Sequence, residues 1–215
     1  MGATRSNGTA QDADGATTPR ARILTPVTQR ERLLDAMART VSLRGYTSTS
    51  VADVLKVARI SRRTFYEQFI DKEDCFLAAY DAIAAVCTDR FVAAYRAAPS
   101  WDAGLAAGYE VLLRTLAAEP DFARLGVVEV LAAGPRALAR RDETLRRFMH
   151  FVDDARERAA PAAVPPALVA QAIAGGIYEL VYSRIVRGET TTLPELLDEL
   201  LHYTFMLLGV SPRPA

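Results

Sequence analysis

The chain has 215 residues, half of them hydrophobic, and its 26 basic residues balance its 26 acidic residues. A chain of this length and composition can bury a sizeable core, which excludes a protein that is disordered throughout. The zero net charge does not exclude a nucleic-acid partner, because residues 28–69 hold eight basic and four acidic residues, or +4, and the remainder is therefore −4.

The sequence contains no secretory segment near its start and no uninterrupted apolar run of about 18 residues, so we expect a soluble, cytoplasmic protein. Cys75 and Cys87 lie twelve residues apart on one predicted helix, about 18 Å of rise, so they cannot pair with each other. We expect both thiols to be buried. His150 and His202 lack metal-ligand spacing, and the sequence predicts no metal site and no cofactor.

Residues 1–27 are rich in small and polar residues and are predicted to form a disordered N-terminal arm. Two interpretations of Arg20 and Arg22 in this arm stay open: they contact the minor groove of DNA, or they belong to a tail that has no binding function. A first helix follows, because Thr28 and Glu31 form a capping-box pattern, and it is predicted to end at Arg44 before a glycine.

The next stretch predicts two short helices joined by a tight turn. Ser50 and Asp53 form a second capping box, and Ser61 is a plausible cap for the following helix. Phe65 and Phe69, four residues apart, place their rings on the buried side of that helix. The residues left on its outer side are of types that contact phosphates and base edges in a major groove, namely Arg62, Arg63, Thr64, Tyr66 and Glu67.

Residues 45–76, GYTSTSVADVLKVARISRRTFYEQFIDKEDCF, closely resemble the TetR (tetracycline-repressor-like) family of all-helical, dimeric, ligand-responsive transcription regulators. The resemblance implies that Thr49, Tyr66 and Lys72 hold phosphates. It also implies that the first turn faces the bases. The predicted DNA-binding residues are Thr49, Ser61, Arg62, Arg63, Thr64, Tyr66, Glu67 and Lys72.

One residue departs from the family pattern. Many relatives carry glycine in the turn, where this chain has Arg59. Arginine in a left-handed backbone is strained, so two alternatives stay open: a different turn, or an additional phosphate contact by Arg59.

Residue patterns predict six further helices. Asp71 caps a long helix that ends near Pro99. Two helices follow, at Trp101 to Ala118 and at Phe122 to Ala132, and a seventh helix then runs to about Arg158. The last two helices, one ending near Arg187 and one starting at Pro194, follow a proline-rich linker, Ala159 to Pro165. The predicted fold is all-α, with a disordered arm (1–27), a helix-turn-helix head (28–71) and a ligand-binding and dimerisation body (72–210). On the helix that ends near Arg158, the arginines Arg140, Arg141, Arg146 and Arg147 are expected on a solvated face.

A ligand chamber is expected between the fourth and eighth helices, because sites in helical bodies form between facing helices. Glu129 is isolated among apolar residues, so its carboxylate must be paired, protonated or at an edge, and orienting a ligand is one alternative. The candidate ligand-binding residues are Phe91, Tyr95, Trp101, Tyr109, Phe122, Glu129, Phe148, Tyr178 and Tyr182.

The two last helices are apolar enough either to finish the core or to form an interface. The resemblance favours the interface, a four-helix bundle between two subunits, and implies an obligate homodimer. The candidate interface residues are Ala172, Ile173, Gly176, Ile177, Leu180, Arg184, Leu197, Leu200, Leu201 and Phe205.

No GxSxG elbow, phosphate-binding glycine loop, HExxH motif or Cys/His cluster occurs, so no enzyme is predicted. The sequence therefore predicts a repressor that binds a palindromic operator as a homodimer and is released by a small apolar effector. A helical enzyme that lacks motifs and a helical protein-interaction adaptor remain as alternatives.

Overall fold

The computed structural model describes residues 26–159 and 168–210. Within these ranges the chain forms nine α-helices, two short 3₁₀ helices and no strand, which confirms the all-α prediction. Two predicted segments lie outside the described residues. They are the arm up to residue 25, which contains Arg20 and Arg22, and the linker from residue 160 onward.

Helices α1 (Gln29–Arg44), α2 (Val51–Ala58) and α3 (Arg62–Gln68) form a compact head. Both predicted capping boxes are present, one at the start of α1 and one at the start of α2. Each satisfies backbone N–H groups of the first turn and places a carboxylate at the positive end of its helix. The local sequence therefore determines where these helices begin.

The buried side chains of the head form one part of a hydrophobic core that continues into the body. Leu33 and Met37 of α1, Val54 of α2 and Phe65 of α3 are each 0% exposed. Phe69, directly after α3, is also buried, and the guanidinium of Arg30 lies 4.5 Å from the centre of its ring. The side chains that anchor α3 are therefore fixed on its inner side.

Helix α4 (Lys72–Ala97) runs from the head into the body and packs along α5 (Trp101–Ala118). Asp71 caps α4 as predicted, because its carboxylate accepts the backbone N–H of residue 74. The two helices approach closely at Gly108, where a Cβ atom would lie 2.6 Å from the ring of Phe91. Glycine at this position is what allows the contact.

Helix α6 is shorter than predicted. It spans Pro120–Val127 and is followed by a 3₁₀ helix, Glu129–Ala132, before α7 (Pro135–Ala159). The predicted continuous helix to Ala132 is therefore wrong. Consecutive β-branched valines weaken an α-helix here, and the tighter turn directs the Glu129 carboxylate toward the head, as described below.

The chain ends in α8 (Leu168–Val186), a 3₁₀ helix (Thr190–Leu196) and α9 (Leu197–Leu208). The predicted start of the last helix at Pro194 is wrong, because Pro194 lies within the 3₁₀ helix and α9 begins three residues later, at Leu197. Helices α8 and α9 pack side by side, and α1 also packs against α4 and α6. The head is therefore joined to the body along α1 as well as through α4.

Candidate DNA-binding surface and ligand cavity

Helix α3 presents a short cationic surface on the head. Ser61 caps the helix as predicted, since its hydroxyl accepts the backbone N–H of Thr64 at 3.1 Å. Phe65 and Phe69 are 0% and 2% exposed, so one side of α3 is anchored in the core. The first turn is left on the surface, with Arg62 at its start.

The two arginines of this turn stand in different electrostatic surroundings. Arg63 is 90% exposed and pairs with Glu67 at 3.0 Å. Arg62 is also exposed, and it forms no ion pair or hydrogen bond with the described residues. Tyr66, one turn after Arg62, is 51% exposed. Arg62 can therefore reach a phosphate or a guanine edge directly, whereas Arg63 must first leave Glu67.

Lys72 joins the start of α2 to the start of α4. Its ammonium donates to the backbone oxygens of Tyr46 and Thr49, both at 2.9 Å, and lies 4.1 Å from the centre of the Tyr46 ring. Burial lowers the pKa of Lys72. A phosphate contact by Lys72 stays a prediction.

Thr49 does not present its side chain to the surface. It is 3% exposed, and its hydroxyl donates to the backbone oxygen of Gly45 at 2.8 Å. The prediction that Thr49 holds a phosphate through its side chain is therefore corrected. Its hydroxyl helps to close the turn between α1 and α2.

Arg59 adopts the left-handed conformation, with φ 55° and ψ 47°, and ends α2. Among the described residues it is the one non-glycine residue with positive φ. The first alternative, a different turn, is therefore wrong. Arg32 donates to the backbone oxygen of Ala58 at 2.7 Å, which places a cation at the negative end of α2 and helps to hold this strained turn.

A cavity of about 130 Å³ lies in the body between α4, α5, α6, α7 and α8. This volume approaches that of a cavity that binds benzene, about 150 Å³. Its wall is almost entirely apolar. The main apolar residues that line it are Ile83, Cys87, Phe91, Leu112, Leu116, Leu145, Phe148, Val152, Ile177 and Val181.

Polar groups line the cavity in one region. The guanidinium of Arg141 lies 4.1 Å from the centre of the Tyr178 ring, and the Tyr178 hydroxyl donates to the backbone oxygen of Val127 at 2.5 Å. Tyr80 and Thr144 also line the cavity, and burial raises the pKa of Tyr80 to about 12. The tyrosine is therefore a neutral hydroxyl at ordinary pH.

Four of the candidate ligand-binding residues line the cavity, namely Phe91, Tyr109, Phe148 and Tyr178. The others are corrected, because their side chains have other partners or positions. The hydroxyl of Tyr95 donates to Asp154 at 2.8 Å, and Trp101 packs edge-on against Phe205. Phe122 is buried but is not part of the cavity lining. Tyr182 stacks on Tyr178.

Glu129 connects the body to the head. Its carboxylate accepts the backbone N–H of Tyr46 at 2.9 Å and lies 3.5 Å from Arg124. The side chain is 10% exposed, so this paired charge is largely shielded from water. The suggestion that Glu129 orients a ligand in the cavity is corrected, because the residue does not line it.

Both cysteines are free and buried, as expected. Cys87 lines the cavity, and burial raises the pKa of its thiol to about 12. Burial also raises the pKa of Cys75. Both are therefore protonated thiols that act as apolar packing rather than as nucleophiles.

Residues 33–79 match the family model described as bacterial regulatory proteins, tetR family. The match covers the helix-turn-helix of the head, the SRRTFYEQF run and the first part of α4. This segment of the chain is therefore similar to TetR-family proteins. The matched family consists of bacterial regulatory proteins, which supports the interpretation of the chain as a regulator.

Solved structures similar to this chain extend the likeness from the matched segment to the fold as a whole. The fatty acid degradation regulator FadR from Bacillus halodurans is 18% identical with a TM-score of 0.74, over 86% of this chain and 97% of that one. FadR from Bacillus subtilis in complex with stearoyl-CoA is 17% identical with a TM-score of 0.71, over 84% and 98%. A TetR family transcription regulator from Marinobacter aquaeolei VT8 is 22% identical with a TM-score of 0.65, over 83% and 94%. No curated protein sequence matches the chain.

The candidate dimer residues fall into two groups. Ile173, Leu200 and Phe205 are 0%, 1% and 6% exposed within a single protomer, so their assignment to an interface is corrected. They complete the core of the body. Those that retain accessible surface are Ala172, Gly176, Ile177, Leu180, Arg184, Leu197 and Leu201.

Among the described helices of this regulator, none is long and apolar enough to cross a membrane. The same part of the chain holds no cluster of His, Cys, Asp or Glu suited to a metal ion.

Sequence reasoning missed the one charged residue that lines the cavity, because Arg141 was assigned to a solvated face. Its side chain is 22% exposed, and the signal was its spacing of four and seven residues before the apolar Leu145 and Phe148.

Proposed function

We propose that this chain is a homodimeric, ligand-controlled repressor that binds a palindromic operator through α3 and is released by a small, largely apolar effector. The observation that carries the proposal is the presence of an exposed cationic first turn on α3 and an apolar cavity in the same molecule. The proposed head is 28–71 and the proposed body 72–210.

DNA reading is assigned to the outer side of α3. Arg62 is exposed and has no ion-pair or hydrogen-bond partner among the described residues, which suits a contact to a base edge or a phosphate. Ser61, Arg63, Thr64 and Glu67 surround it, and Glu67 holds Arg63 until DNA competes for the guanidinium. An exposed pair of this kind is worth only about 0–1 kcal/mol, so its loss is a small cost against a new charge-assisted contact.

Contacts to the phosphates are assigned to Tyr66 and Lys72. Tyr66 is half-exposed beside the first turn of α3, where its hydroxyl is accessible. Lys72 lies at the junction of head and body and already holds two backbone oxygens. Phosphate contacts position the reading helix without selecting a sequence.

Dimerisation is assigned to the exposed apolar strip of α8 and α9. Leu180 is 38% exposed and Met206 is 59% exposed, and Ala172 lies on the surface near them. Tyr203 donates to the backbone oxygen of Ala172 at 2.9 Å, so the two helices are already fixed against each other before a partner docks. A two-fold interface here suits a palindromic site with half-sites about 34 to 36 Å apart.

The effector is assigned to the cavity between α4 and α8. The Bacillus subtilis FadR structure contains stearoyl-CoA, a ligand with a long apolar chain. The apolar wall of the present cavity suits an apolar effector for this chain too. The volume of about 130 Å³ accommodates a small apolar group without rearrangement.

Two hydrogen bonds connect the cavity to the head. Tyr178 lines the cavity and donates to the backbone oxygen of Val127, the last residue of α6. Two residues further on, Glu129 accepts the backbone N–H of Tyr46 in the head. A ligand that moves Tyr178 therefore changes the support of the head, and it need only favour the non-binding arrangement by a few kcal/mol to release DNA.

A gel-shift assay on DNA flanking the gene for this protein tests the proposal. The full chain is expected to retard a specific fragment, and an apolar compound that binds the cavity is expected to reduce the shift. The matched control is a Val181→Trp variant, which fills the cavity and is expected to bind DNA without responding to the compound. A protein that captures another protein but never DNA would instead be an adaptor.

A further inference from the structure

Arg141 introduces a positive charge into an otherwise apolar cavity wall. Its guanidinium lies over the Tyr178 ring, 4.1 Å from the ring centre, and Nη1 donates to Asp142 at 3.0 Å. Nε is buried and has no acceptor within the described part of the chain. The guanidinium therefore has a donor that the described residues leave unsatisfied, while the side chain as a whole is 22% exposed and lines the cavity.

The rest of the cavity lining carries no negative charge. None of the described residues that line it is an Asp or a Glu, and the other side-chain polar groups near Arg141 are the neutral hydroxyls of Tyr80, Thr144 and Tyr178. Asp142, the partner of Arg141, is 61% exposed and points to solvent rather than lining the cavity. A ligand in this region therefore meets one cation and several hydroxyls, which favours an anionic group over a cationic one.

The lining changes from polar to apolar along two helices. On α4 it runs from Tyr80, near the polar groups, to Phe91, about 16 Å of helix rise further on. On α7 it runs from Arg141 and Thr144 through Leu145 to Phe148 and Val152. Such a wall suits an apolar group that carries a polar group at one end.

We infer that the cavity binds an amphipathic carboxylate, with its carboxylate at Arg141 and its apolar chain between α4 and α7. A planar guanidinium matches a planar carboxylate with paired hydrogen bonds, and the pair that Arg141 already forms with the 61% exposed Asp142 is a weak competitor for it. The inference rests on the proposed function and specifies the effector class of the same site.

Isothermal titration of the full chain with octanoate, 1-octanol and octylamine tests the inference, because the three compounds share a chain and differ in charge. Wild-type protein is expected to bind octanoate about ten- to a hundredfold more tightly than 1-octanol and to bind octylamine most weakly. Arg141→Gln is expected to lose this preference. The matched control is Arg140→Gln, since Arg140 is the adjacent, 57% exposed arginine that pairs with Asp81, and it should retain the preference.

Equal binding of octanoate and 1-octanol by the wild-type protein overturns the carboxylate site but leaves an apolar effector in place. Retention of the preference in Arg141→Gln also overturns it. If none of the three compounds binds, both the inference and the assignment of the effector to the cavity fail, while DNA binding is tested separately by gel shift. Arg141→Lys keeps the charge without the paired donors, so a partial preference in that variant supports the inference.

Discussion

Arg62 on the head and Arg141 in the body carry the same charge in opposite surroundings. Arg62 is exposed on a helix whose other side is anchored by phenylalanines, and it has no partner among the described residues. Arg141 is largely buried against Tyr178 beside an apolar cavity. The first surface suits a large polyanion that arrives from solvent, whereas the second suits one small molecule from which water is excluded.

The difference also lies in how each site is assembled. The head surface comes from a few consecutive residues of α3, held by Phe65 and Phe69. The cavity comes from side chains on five successive helices, spread over residues 80–181. Variants of the head should therefore act locally on DNA binding, while variants at the connection between the regions should affect both.

The largest effect is expected from Phe65→Ala, which removes the ring that anchors the reading helix. Loss of a fully buried phenylalanine costs about 3–5 kcal/mol in the free energy of unfolding, measured by urea denaturation. Specific DNA binding should be lost as well. Tyr66→Phe, which removes one exposed hydroxyl next to it, is the control and should leave stability within about 0.5 kcal/mol. Unchanged stability in Phe65→Ala would contradict the anchoring role.

Glu129→Ala breaks the connection between body and head. It leaves the Tyr46 N–H without an acceptor, and a buried unsatisfied group of this kind costs about 1–3 kcal/mol. Glu129→Gln keeps an acceptor oxygen, so it should lower the free energy of unfolding by less than Glu129→Ala. Thermal unfolding gives the stability of both variants, and gel shift in the presence of effector gives their response. Equal stability of the wild type and the Ala variant would show that this bond is not a significant support.

Arg62→Ala is expected to weaken DNA binding by about 1–3 kcal/mol and to relax the preference at one base position. Arg63→Ala is expected to weaken DNA binding by less, because Arg63 must give up its ion pair with Glu67 before it can contact DNA. Arg146→Ala, on the exposed side of α7, serves as the control for a lost surface charge. Fluorescence anisotropy on a set of single-base operator variants measures all three. An unchanged base preference in Arg62→Ala would argue against base reading.

Lys72→Met should weaken binding to all DNA sequences alike, because phosphate contacts carry no sequence information. The slope of log affinity against log salt should fall by about one unit. Titrations of specific and random duplexes at several salt concentrations give both quantities. A sequence-selective loss would show that Lys72 acts by positioning α2 through its bonds to Tyr46 and Thr49.

The smallest effect is expected from Arg59→Gly, which relieves the left-handed turn after α2. Glycine adopts this conformation without strain, but it also raises the conformational entropy of the unfolded chain. The net gain in the free energy of unfolding is about 0.5–1 kcal/mol. Arg59→Ala retains the strain and is the control. A lower salt dependence of DNA binding in both variants would support the remaining alternative, a phosphate contact by Arg59.

The head could be predicted almost completely from the sequence because its signals are local. Caps at Thr28, Ser50 and Ser61 fix the helix starts, and the spacing of Phe65 and Phe69 fixes which side of α3 is buried. Two features escaped that reasoning. The burial of Thr49 depends on packing between helices, and the strain at Arg59 is tolerated because Arg32 holds the turn.

The body was predicted less well because its contacts are long-range. Whether an aromatic side chain lines a cavity or fills a core depends on helices distant in sequence, and only four of the nine candidates line the cavity. Glu129 illustrates the reason, since its partner, the N–H of Tyr46, lies 83 residues away. Ile173 and Leu200 have the spacing of an interface, yet they pack inside the protomer.

Selection of bound duplexes from a random DNA library by the full-length protein, followed by sequencing, tests the central claim most directly. The account predicts one enriched sequence with two-fold symmetry, whose half-sites are centred about one helical turn apart, and loss of enrichment at one position per half-site in Arg62→Ala. Recovery of no preferred sequence, or of the same sequence with undiminished enrichment by Arg62→Ala, would contradict it.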